Sequence, residues 1–150
     1  MQLKTLLNHA QPFKGFVYKK VKLAKSQDRF KWDEPRIVVE IEPRKNSKGV
    51  CSGCGLERAG YDKLPSRLYD YLPMLGVLVY FAYQPRRVNC PECGIKVEKL
   101  PWSDGKNQLT KTLQWYLADW AKQLSWKAVA VRFKVSWDSV FKSVEMVVEW

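Results

Sequence analysis

Cys51-Ser52-Gly53-Cys54-Gly55 and Cys90-Pro91-Glu92-Cys93-Gly94 contain all four cysteines of the chain, as two C-x-x-C pairs each followed by glycine. Two residues between thiols let a tight turn aim both sulfurs at one ion about 2.3 Å away. Glycine after the second cysteine allows a positive φ without a Cβ clash. Two such turns brought together form a closed, tetrahedral site of the structural type, with Cys51, Cys54, Cys90 and Cys93 as ligands. Two disulfides suit this pattern poorly, because paired C-x-x-C turns have metal spacing and a cytoplasmic chain stays reduced. A thioredoxin-like site uses one such pair beside a strand–helix–strand pattern, which the sequence lacks. One structural zinc per chain is the expectation, and iron in a rubredoxin-like site uses the same ligands.

The 35 residues between Cys54 and Cys90 must fold back to bring the second pair to the first. Arg67 to Leu72 and Gly76 to Tyr83 read as short strands split by a turn at Pro73-Met74-Leu75-Gly76. Upstream, Gly15 to Leu23 and Arg36 to Pro43 are rich in Val, Ile, Phe and Tyr and read as β, joined by a polar segment over Ala24 to Glu34. Residues 1–103 are thus expected to be a β-rich, zinc-stapled, ribbon-like module. The whole chain is expected to be α+β.

Residues 104–150 follow a helical period. Leu109, Leu113, Tyr116, Leu117, Trp120 and Leu124 recur every three or four positions, predicting a helix of four to five turns capped by Ser103 or Asp104. Ser125 can cap a short helix from Trp126 to Phe133. After a Lys134-Val135 turn, Ser136 can cap a third helix that carries Val140, Val144 and Val147 inward. Two helices joined this tightly form a helix-turn-helix pattern, with Lys134 where glycine is usual. A plain three-helix packing unit has the same periodicity.

Twenty-six Lys and Arg against 15 Asp and Glu give a net charge of +11. Residues 1–50 carry 12 basic and 5 acidic side chains, while each later third carries 7 and 5. Such a surplus favours a polyanionic partner, since neutralising phosphates releases counterions. Solubility alone is the bland explanation. The candidate phosphate contacts are Arg86, Arg87, Lys106, Lys111, Lys127, Arg132, Lys134 and Ser136, with Trp137 and Lys142 nearest any base edge. No segment joins a basic face to a strongly apolar one, and the longest apolar run, Val77 to Tyr83, is far too short to span a membrane. A cytoplasmic, nucleoid-associated protein is expected.

These motifs occur in a specific order. Cys51-Ser52-Gly53-Cys54-Gly55 is followed by Arg86-Arg87-Val88-Asn89 leading into the second knuckle. Val97-Glu98-Lys99-Leu100-Pro101-Trp102 and Ser125-Trp126-Lys127-Ala128-Val129-Ala130 come next. Over about residues 35–150 the arrangement resembles the amino-terminal region of bacterial insertion-sequence transposases of the ISL-three family. The resemblance implies recognition of double-stranded DNA at an element's terminal inverted repeats. It also implies a metal-dependent catalytic domain following this region, and full-length transposase or a second copy of the chain as protein partners. No residues after Trp150 remain for that domain. The apolar-periodic stretch Val144 to Trp150 ends without a closing Gly or Asn, so a truncated chain is expected. The alternative is a zinc-ribbon interaction module that docks another protein. An enzyme is disfavoured: no nucleophile–base pair or Gly-rich phosphate loop is present, and the single histidine, His9, reads as a surface residue near the terminus.

Overall fold

The computed structural model describes residues 2–27 and 30–149, a mixed α+β arrangement of four helices and two sheets. Helix α1 (Leu3–Ala10) precedes two long strands, β1 (Phe16–Gln27) and β2 (Phe30–Pro43). Strands β3 (Ala59–Lys63), β4 (Arg67–Asp70), β5 (Val79–Tyr83), β6 (Arg86–Cys90) and β7 (Gly94–Val97) follow. The chain ends in α2 (Lys111–Trp120), α3 (Trp126–Phe133) and α4 (Trp137–Glu149).

The four-stranded sheet runs β1-β2-β5-β4. β1 pairs antiparallel with β2, β2 parallel with β5 (Ile37 opposite Val79), and β5 antiparallel with β4. β1 is outermost, with register shifts between Tyr18 and Val21 and between Ala24 and Ser26. The segment expected to be a polar connection is mostly strand, since β1 continues to Gln27 and β2 resumes at Phe30. The two residues between them, Asp28 and Arg29, lie outside the described residues. Short-range alternation concealed this, because a strand with one wet face tolerates polar residues throughout its length.

On one face of this sheet, Tyr18, Val39, Ile41, Tyr69, Tyr71, Val79, Phe81 and Tyr83 form an aromatic core. Leu7 of α1 enters this core at 2% exposed, so the N-terminal stretch packs as a helix with His9 on its outer side. Trp102 is the centrepiece, its ring 5.0 Å from Phe16, 5.1 Å from Tyr83 and 5.9 Å from Tyr69. The Leu100-Pro101-Trp102 exit from the second knuckle therefore anchors the smaller sheet to the larger. That smaller sheet is β3-β6-β7, antiparallel throughout.

The helix expected from Asp104 begins later, at Lys111, and has 10 residues. Gly105 takes φ +55°, and the segment before Thr110 lies against β4 instead. Asp70 donates its N–H to the Gln108 carbonyl at 2.7 Å, and Thr110 returns its own to the Asp70 carbonyl at 2.9 Å. The cap is Thr110, not Ser103 or Asp104. Its hydroxyl oxygen accepts from Leu113 N–H at 3.3 Å and donates to the Asp70 carbonyl at 2.8 Å. A polar run that satisfies its own backbone groups and an adjacent strand competes with helix there.

Helices α2, α3 and α4 enclose a second core of Leu109, Leu113, Leu117, Val129, Ala130 and Val140. Tyr116, Trp120 and Leu124, expected on the buried stripe, are 38%, 36% and 40% exposed. Ser125 accepts from Ala128 N–H at 3.1 Å and Ser136 from Ser139 N–H at 3.0 Å, capping α3 and α4. Lys134 closes α3 in the left-handed conformation (φ +54°, ψ +44°), at a cost of about 1–2 kcal/mol for a residue with a Cβ. Leu72 packs against both cores.

Candidate metal centre

The second knuckle is the hairpin turn between β6 and β7, with Cys90 paired to Gly94. The first lies just before β3, held by Cys51 N–H to the Leu56 carbonyl (2.8 Å) and Gly55 N–H to the Cys51 carbonyl (2.9 Å). Gly55 and Gly94 take φ +75° and +81°, the left-handed geometry that favours glycine after each pair. Gly53 serves differently: a Cβ there would stand 2.8 Å from the Cys93 sulfur. The close approach of the two knuckles thus requires a hydrogen at that position.

The four sulfurs all lie within 4.8 Å of one another and form a cluster that could hold a metal ion. Cys54 and Cys90 sulfurs are 3.7 Å apart. This matches the edge of about 3.8 Å of a tetrahedron with 2.3 Å metal–sulfur bonds and is far beyond the roughly 2.05 Å of a disulfide. All four cysteines are free thiols, with Cys51 and Cys90 buried. N–H groups point at the sulfurs: Gly53 donates to Cys51 and Cys93 to Cys90, each at 3.4 Å.

The local electrostatics favour thiolates at two positions. The Cys54 backbone N–H leads the effects that lower Cys51. At Cys90 burial pushes upward, yet the N–H groups of Cys93 and Glu92 and the Cys54 and Cys51 side chains together outweigh it and bring the thiol to about 6. Burial, with the neighbouring sulfurs adding to it, pushes Cys93 up to about 12. Sulfurs this close cannot all ionise without a cation between them. Arg58 adds positive charge, its Nη2 3.7 Å from the Cys54 sulfur. This residue gives no signal in the C-x-x-C pattern.

A buried ion pair joins this centre to the aromatic core. Glu98 lies opposite Cys51 in a β-bridge, and its side chain is 1% exposed. It accepts from the Arg86 backbone N–H at 3.0 Å, from Arg86 Nη2 at 2.9 Å and from the Tyr83 hydroxyl. Arg86 Nη1 also donates to the Ser47 carbonyl at 3.0 Å. A Cβ on Gly49 would meet Val88 at 2.7 Å and Glu98 at 3.5 Å, so the segment into the first knuckle packs closely against β6 and this carboxylate.

The other candidate residues are spread over several surfaces. Arg86, expected to face phosphate, is instead committed to Glu98, because a buried carboxylate needs a charged donor. Arg87 pairs with Asp62, Nε to Oδ1 at 2.6 Å, and lies 5.3 Å from the Tyr61 ring centre. Lys111 pairs with Asp104 at 3.2 Å, Lys134 with Glu34 at 3.6 Å and Lys142 with Asp138 at 3.0 Å. Lys106 and Lys142 line one hollow with Ser139, and Arg132 and Lys134 line another. Lys127 stands exposed in the first turn of α3, and Ser136 is occupied as a cap. Trp137 is 52% exposed, stacked on Phe141 at 5.7 Å and 12°, with Trp126 5.5 Å away. The i, i+4 spacing of Trp137 and Phe141 was the available signal for this stack.

Compared with known proteins, the chain has no significant match to any family model, curated protein or solved structure. No helix among the described residues is long and apolar enough to cross a membrane.

Proposed function

We propose that this chain is the DNA-recognition portion of a bacterial insertion-sequence transposase, holding one structural zinc and binding the element's terminal inverted repeats in the cytoplasm. The observation that carries this reading is the α3–α4 pair. Two serine-capped helices meet across a three-residue turn over Val129, Ala130 and Val140 and leave Trp137, Phe141 and Lys142 in solvent. Read as a helix-turn-helix, α4 is the element that enters the major groove. Trp137 and Phe141 then offer apolar contact to thymine methyl groups, and Lys142, released from Asp138, reaches a base edge.

Lys106 and Lys127, exposed and without an ion-pair partner among the described residues, serve phosphates. Zinc is the preferred ion because four thiolates in a closed tetrahedron suit it, and its role is to fix the smaller sheet. On this reading the chain recognises DNA and catalyses nothing itself. Magnesium- or manganese-dependent strand nicking that survived rigorous purification would contradict that.

The test is titration against inverted-repeat and scrambled duplexes at two salt concentrations. Four to six phosphate contacts give a log–log slope of about −4 to −5. Trp137→Ala or Lys142→Ala narrows the difference between the two duplexes, since base contacts alone carry sequence information. Equal, weak binding that is insensitive to both substitutions moves the assignment to a protein-docking module. That second reading is favoured by the Asp138–Lys142 pair and the exposed aromatic cluster on α4.

A further inference from the structure

A groove of about 590 Å³ separates the N-terminal half of β2 and the β4–β5 turn from helices α2 and α3. The volume is typical of a small-ligand site. Its helical wall is aromatic: Tyr116 lies 5.5 Å from Phe133 and 6.3 Å from Trp120, with the Tyr116 and Trp120 rings more than a third exposed. These are the residues whose helical period predicts burial, yet no side chain of the opposite wall covers them fully.

Three cations line the same groove. Arg36 donates to the Tyr80 hydroxyl, and Arg132 is exposed and has no ion-pair partner among the described residues. Lys134 is held by Glu34 across the mouth, with the two side chains 54% and 76% exposed. An exposed pair of this kind is worth little and exchanges readily for a stronger anion. Among the described residues, Glu34 is the single carboxylate of the lining.

From this combination we infer that the groove binds an unpaired nucleotide of a DNA strand, with its base on Trp120 and Tyr116 and its phosphate at Arg132 and Lys134. A purely apolar ligand would leave Arg132 without a counter-charge and the lining with three cations against one carboxylate. A base within a duplex shows only its edges, whereas an unpaired base offers the flat face that an aromatic wall can stack. The inference rests on the DNA-binding reading and adds a second kind of contact to it: α4 reads paired DNA, and the α2–β2 groove takes a base that has left the helix.

The experiment compares a fully paired duplex with the same duplex carrying a short unpaired tail that contains 2-aminopurine. The tailed DNA is expected to bind at least about fivefold tighter, the effect of one stacked base, with quenched 2-aminopurine emission. Trp120→Ala abolishes both effects and leaves paired-duplex affinity unchanged. Arg132→Ala, at an exposed side chain whose loss does not threaten the fold, also reduces the preference for the tail. Equal affinity and unquenched emission, with duplex binding intact, overturn the groove assignment and leave the DNA-recognition reading standing. Quenching by a free single strand without duplex binding upholds the groove and removes the duplex reading. No binding to either DNA removes both. Equal occupancy by free deoxythymidine monophosphate overturns the strand assignment, because the groove would then be a free-nucleotide site.

Discussion

The Arg86 guanidinium lies 2.9 Å from a Glu98 carboxylate that is 1% exposed, and this pair spans the junction between the two sheets. Removing one partner strands the other charge. Arg86→Ala should therefore lower stability by roughly 3–5 kcal/mol, read by urea denaturation. The double replacement Arg86→Met with Glu98→Leu should cost less than Arg86→Ala alone. Any loss of DNA affinity in Arg86→Ala should follow the folded fraction.

Metal removal should couple directly to folding. Structural zinc sites contribute apparent energies of order 10–16 kcal/mol in small modules. Elemental analysis should find about one ion per chain. Strong chelation, or Cys90→Ser, should unfold the smaller sheet and leave helical circular dichroism from α2 to α4 less affected. Unchanged stability after complete chelation would contradict a structural ion.

Gly53 and Gly55 should respond differently to alanine. At Gly53 the new methyl meets the Cys93 sulfur at 2.8 Å, so the knuckles must separate. At Gly55 the space is open and the cost is backbone strain at φ +75°, about 1–2 kcal/mol. Competition with a chromophoric chelator should show Gly53→Ala releasing its metal faster than Gly55→Ala.

Asp70 gives the fold a dependence on pH. Burial raises its carboxyl to about 6, against the pull of Arg36. The unfolded carboxyl titrates near 3.9, so the folded form holds its proton longer. Stability should fall as pH rises from about 4 to about 6 and then level off. Asp70→Asn should remove that slope and gain up to about 3 kcal/mol at neutral pH. Thermal denaturation of both proteins from pH 4 to 7.5 checks the sign.

The cysteine cluster was legible because its spacing and glycines report local turn geometry directly. Helices α3 and α4 were legible for a similar reason: Ser125 and Ser136 mark their starts and Val129 and Val140 their inner faces. The parallel pairing of β2 with β5 was not, because nothing near Ile37 indicates that Val79 will lie beside it. The start of α2 is not legible, because Thr110 draws its second partner, Asp70, from a strand forty residues earlier. Arg86 reads in the sequence as a surface cation for the same reason. Only the fold brings Glu98 and Tyr83 to it.

Strand β1 is outermost in its sheet, and among the described residues its 12-residue length pairs with a strand, β2, on one side only. Such an edge is a template for addition of another chain and for aggregation. Exposed lysines and irregular register are standard protections against it. Lys19, Lys20, Lys22 and Lys25 are all exposed on β1, and two register shifts interrupt its pairing with β2. Four of the twelve basic residues in the first third thus have a use that involves no polyanion. Substituting them with threonine should make the protein self-associate before it weakens any grip on DNA.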